Sequence, residues 1–234
     1  MENLLEKFNM FDLFTMLIPG VIISTLLCIS LSLKFYKQWI NLGNEKYIAF
    51  FVISYLLGIC LQQIGNIIDE KFLYKIIYGG NPREIFLLKD RYSQILSNDF
   101  VYNDALYIQK YMITYLDINT KNIKNIEEQK QLNARIFSYC LNIIENNGTS
   151  FKADKMLVIS EMSRSLSLGC IIIIFLNMFI IISFHSNYIF YITEIVILLL
   201  LSTIFLYRKI QYEQYRYRII LRMFLIYIKN KENK

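Results

Sequence analysis

The chain has 234 residues, 55% apolar and 15% aromatic, with a formal net charge of +6 and a mean hydropathy of +0.37. That balance excludes an ordinary soluble domain and a disordered chain. One histidine and four scattered cysteines leave no metal-ligand spacing, and no Gly-rich phosphate loop, Gly-x-Ser-x-Gly elbow or CxxC pair occurs, so neither an enzyme nor a cofactor is expected.

The apolar residues concentrate in four runs, residues 11–33, 47–67, 166–184 and 189–207. About 20 residues rising about 1.5 Å each cross the roughly 30 Å of hydrocarbon in a bilayer. The sequence therefore predicts an all-α membrane protein with four transmembrane helices arranged as two hairpins, residues 11–67 and 166–207. A helical cytosolic segment, 68–165, separates them, an interfacial helix, 1–10, precedes them and a basic amphipathic helix, 208–234, follows. Glu2 and Glu6 before the first run argue against a secretory signal. Lys and Arg set the orientation: the segment 68–165 holds thirteen and the tail eight, against three in the first hairpin loop and none in the second. Both termini and the long segment are thus expected in the cytosol, although the first hairpin alone would prefer the opposite side.

In chain order, Asn9 is expected to cap the first span, with Asp12 favoured near its N-terminus. Pro19 removes a backbone donor and Gly20 adds freedom, which predicts a kink and makes this pair the candidate hinge. In the second span, Ser54, Gly58, Gln62, Asn66 and Asp69 recur at spacings of four, four, four and three. Such a stripe cannot face lipid without stranding its polar groups, so it faces helices or water. Close packing and pore lining both fit it.

The second span is expected to continue to Gly79-Gly80, after which Asn81 caps a new helix with Pro82 at its first position. Further helices are expected over 102–116 and 123–146, and another after Asn147-Gly148 that runs into the third span. In the last hairpin, closed by His185-Ser186-Asn187, Asn177 and Glu194 lie at nearly the same depth. Either they bond to each other and glue the hairpin, or Glu194 belongs to an ion pathway.

The tail places Arg208, Tyr212, Tyr215, Arg218 and Arg222 on one side, with Arg216 nearby, and Ile210, Tyr217, Leu221, Phe224 and Ile228 on another. It reads either as a helix on the inner leaflet, its cations meeting anionic lipid, or as a site for a nucleotide or single-stranded nucleic acid.

The layout resembles small four-span membrane effectors of bacterial anti-phage defence, such as the SMODS-associated four-transmembrane effectors and the HalA-like channels. Phe11-Asp12-Leu13-Phe14 leading to Ile18-Pro19-Gly20, the helical insertion, and the basic tail from Arg216-Tyr217-Arg218 to Arg222 carry the resemblance. It implies a channel in the bacterial inner membrane that opens on a nucleotide or oligonucleotide made by a soluble partner enzyme. Four spans are too few to enclose a water path comfortably, so conduction implies a homo-oligomer, with a tetramer favoured. The alternative is a non-conducting scaffold or sensor that recruits a soluble partner protein.

Overall fold

The computed structural model describes residues 13–39, 45–88, 95–96, 102–117, 125–184 and 188–232. Among them the secondary structure is helical, with no strand: α1 (Ile18–Trp39), α2 (Glu45–Ile68), α3 (Tyr74–Tyr78), α4 (Pro82–Ile85), α5 (Tyr102–Tyr115), α6 (Ile126–Asn146), α7 (Phe151–Phe184) and α8 (Tyr188–Glu232). Four of them, in α1, α2, α7 and α8, are long and apolar enough to cross a membrane. The protein is a multi-pass, all-α membrane protein. The expected helix over 1–10, the Asn9 and Asp12 cap and the His185-Ser186-Asn187 turn lie outside the described residues.

The chain divides into two compact units, one built from residues 1–67 and 158–211 and the other from 68–157 and 212–234. The first, the membrane unit, brings together α1, α2 and the spanning parts of α7 and α8. Its apolar core is Ile23, Leu61, Leu166, Cys170, Ile173, Ile174 and Leu198. A π-helical turn, Leu13–Leu17, precedes α1. Pro19 cannot donate to the carbonyl four residues earlier, that of Thr15, and a wider turn at that point accommodates the missing bond. One turn on, α1 crosses α2 at backbone distance. A Cβ on Gly20 would strike the Ser54 carbonyl, and one on Gly58 the Met16 carbonyl. Only glycine permits that approach, as in other small-residue helix crossings in membranes.

In the second unit, α2 is followed by a π-helical turn, Asp69–Leu73, and then α3. Gly79 ends α3 in the left-handed region, φ 72°, its amide donating to the Lys75 carbonyl in an αL closure while the Gly80 amide donates to the Tyr74 carbonyl. The Asn81 side chain accepts from the Arg83 amide at 3.1 Å and Pro82 opens α4. The Asn133 amide of α6 donates to the Glu84 carbonyl at 2.8 Å and ties α4 down. The core is aromatic: Phe137 lies 5.7 Å from Phe86 and 4.8 Å from Tyr217, and Tyr111 lies 6.2 Å from Phe224, centroid to centroid.

The tail is the second half of α8, not a separate helix. Its apolar line, with Tyr217, Leu221, Phe224 and Ile228 all buried, is core of the second unit rather than a lipid-facing surface. Periodicity marked the line correctly, but α5 and α6 supply the aromatic partners that cover it.

Candidate functional site

The membrane unit buries polar side chains in two layers on either side of its apolar core. One layer is centred on Glu194. The Ser30 hydroxyl of α1 lies 2.6 Å from Glu194 Oε1 and donates to it. The Leu26 carbonyl, 3.0 Å away, also faces that hydroxyl. The Tyr191 hydroxyl donates to the Ser30 carbonyl at 3.3 Å. Glu194 Oε2 is buried with no hydrogen-bond partner among the described residues.

Asn177 on α7 is 0% exposed. Neither atom of its amide has a hydrogen-bond partner among the described residues. The expected Asn177–Glu194 bond is therefore not made, and the partner of Glu194 is Ser30. Equal depth fixes the layer in which two side chains lie, but not the rotation of each helix within it.

The other layer joins α2, α7 and α8. Gln62 donates to Glu161 at 3.0 Å. The Ser167 and Ser202 hydroxyls lie 3.0 Å apart, bonding across from α7 to α8, and Ser160 donates to the Lys209 carbonyl at 3.1 Å. Arg164 and Lys209 are both buried. A Cβ on Gly65 would come within 2.8 Å of Arg164 Nε, so the guanidinium stem lies flat on that glycine.

The stripe on α2 thus faces the chain's own helices. Ser54 and Gly58 face α1, Gln62 meets Glu161, and Asn66 is half-buried. Pro19 and Gly20 are buried too, with Gly20 clamped against α2. Reading the sequence alone missed Ser30, Glu161, Arg164, Lys209 and the serines of α7. Ser160, Ser163 and Ser167 around Arg164 were the available signal, because small hydroxyl residues at spacings of three and four mark a close helix crossing in a membrane.

The candidate ligand residues divide between the units, Arg208 in the first and the others in the second. Within the second unit, Arg218 sits over the Tyr215 ring, its guanidinium carbon 4.3 Å from the centroid, a cation–π contact. Tyr212 lies 6.3 Å from Tyr215. Tyr215 and Arg222 are exposed, while Arg216 and Tyr212 are half-buried.

The chain matches no family model, no curated protein and no solved structure.

Proposed function

We propose that the protein is an ion channel of the bacterial inner membrane, working as a homo-oligomer and gated from the cytosol. The observation that carries this reading is Glu194, an ionisable group seated on Ser30 in the interior of an apolar span. A bundle that serves only as an anchor has no use for such a group, which costs several kcal/mol in hydrocarbon, and intramembrane carboxyls are characteristic of ion pathways.

Gating falls to the second unit. Its Arg218–Tyr215 stack, with Arg222 exposed beside it in sequence, has the chemistry to hold a nucleotide or short oligonucleotide supplied by a partner enzyme: guanidinium for phosphate, phenol ring for base. The test is planar-bilayer recording of the full-length protein with and without a panel of cyclic and linear oligonucleotides. Unitary currents are expected, and silence under every condition overturns the reading.

The backbone-close crossing of α1 and α2 favours a second reading, a non-conducting scaffold, because it accounts for Ser54 and Gly58 by packing alone. A stable complex with a soluble protein, without ion flux, would decide for it.

A further inference from the structure

We propose that each subunit carries its own transmembrane proton path through the interior of its four-helix membrane unit, rather than sharing one pore between copies. The proposal rests on the conduction reading and specifies where and what the protein conducts.

A pore between copies would be lined by surfaces now exposed. Along the four spans those surfaces are apolar, for example Phe51, Ile53, Leu56, Phe175, Phe179 and Leu200. The exposed threonines Thr25, Thr193 and Thr203 each commit their hydroxyl proton to a carbonyl of their own helix, and three isolated hydroxyl oxygens on otherwise apolar faces make no continuous polar lining. Among the described residues the exposed polar exceptions are Gln63 and Ser183, towards the ends of their apolar runs, and the thiols of Cys28 and Cys60. The polar groups are inside.

Inside, they are in register. On α8, Glu194, Leu198 and Ser202 follow at spacings of four, and on α7, Ser167, Cys170, Ile174 and Asn177 follow at three, four and three. Each helix therefore presents one face that runs polar, apolar, polar. The apolar middle belongs to a single cluster that includes both Cys170 and Leu198, and Ser167 bonds Ser202 across its inner edge. From Glu194 to Ser202 is about 12 Å along the helix.

Asn177 is the second, independent observation. With its amide fully enclosed and without a partner among the described residues, neither lipid nor another copy reaches it. Leaving both atoms bare costs several kcal/mol, so a small internal polar molecule belongs there, and water is the one that both donates and accepts. The Glu194 carboxyl, with Oε2 bare on the same polar level, is a relay for a proton arriving through that water. A proton hops along hydrogen bonds without moving a hydrated ion, which suits a bundle only four helices wide. The apolar cluster is then the closed gate.

The test uses full-length protein in liposomes at less than one copy per vesicle, with an internal pH-sensitive dye and the voltage clamped by potassium and valinomycin. Leu198→Ser, which makes the gate polar, is expected to raise proton leak about tenfold over wild type even at single-copy loading, the factor given by lowering a barrier by about 1.4 kcal/mol. Adding Asn177→Leu is expected to abolish that leak. A leak that vanishes at single-copy loading overturns the intrasubunit path, as does one that ignores Asn177→Leu. If densely loaded wild-type vesicles without valinomycin pass potassium while Leu198→Ser, shown by its melting curve to be folded, is silent at single copy, the channel reading stands and the intrasubunit path falls.

Discussion

Ser30 and Glu194, 164 positions apart in sequence, meet at 2.6 Å and bind the first span to the last. Removing the hydroxyl leaves the half-buried Glu194 carboxyl without its partner. A hydrogen bond to an acidic group contributes about 1.5–3 kcal/mol, and the stranded acceptor adds to the loss. Ser30→Ala is therefore expected to lower the melting temperature in detergent, and Glu194→Leu to reduce the further effect of Ser30→Ala to near zero. Additive losses in that double-mutant cycle would show that the pair is not coupled.

The glycines of α2 differ in what surrounds them. A methyl at Gly58 strikes backbone, whereas one at Gly65 meets the long Arg164 side chain, which can shift. Alanine in a helix interior otherwise gains about 0.5–1 kcal/mol over glycine. Gly58→Ala should thus lower thermal stability and yield, Gly20→Ala likewise, and Gly65→Ala should be close to neutral. The reverse order in a melting assay would refute the close crossing of α1 and α2.

Asn177 sets function against stability. Leucine of similar volume removes both polar atoms together with the need for a water to satisfy them, so Asn177→Leu should leave the protein at least as stable as wild type. The same change should end proton leak in the gate variant. A leak that persists in the folded double variant would remove the amide from the path.

In the second unit, burial pushes the Cys140 thiol well above its ordinary range, and burial, then the Glu213 carboxylate, does the same to the Tyr217 hydroxyl. The folded protein holds both protons where the unfolded chain releases them, from about pH 8.5 for the thiol and about pH 10 for the phenol. The stability from this source is complete below those values and is lost as pH rises through them. The melting temperature should fall between about pH 8 and 10.5, and less steeply in Cys140→Ala. A flat profile would contradict the enclosure of both groups.

Tyr217 and Arg222 separate folding from ligand binding on one helix. Tyr217→Ala opens a cavity beside Phe137 and should cost about 3–5 kcal/mol. Arg222→Glu on the exposed side should leave melting unchanged while abolishing any oligonucleotide binding measured by calorimetry. Binding that survives the reversal would remove Arg222 from the ligand face.

The spans were legible because run length and charge asymmetry are properties of composition, and the Asn81-Pro82 start and Gly79 stop because their chemistry is local. What escaped the sequence was rotation and partnership. Counting residues placed Asn177 and Glu194 at one depth, yet helix rotation turned Glu194 to Ser30. The stripe from Ser54 to Asn66 was legible as an interior face, whereas its partners, the Met16 backbone and Glu161, lie 42 and 99 residues away from Gly58 and Gln62 respectively. The two π-helical turns left no signal beyond Pro19, since a register shift depends on what the helix must fit rather than on its own residues.

The crossing of Gly20 and Gly58 also bears on biogenesis. The tightest contacts of the first hairpin use nothing after Gly58 in the chain, so the two spans can pair while the rest of the protein is still being translated. The later hairpin, with its amide and its acid, then enters the bilayer beside a template that already presents Ser30 and Gln62. Slowing synthesis after residue 68 should do this protein no harm, whereas transposing its two halves should.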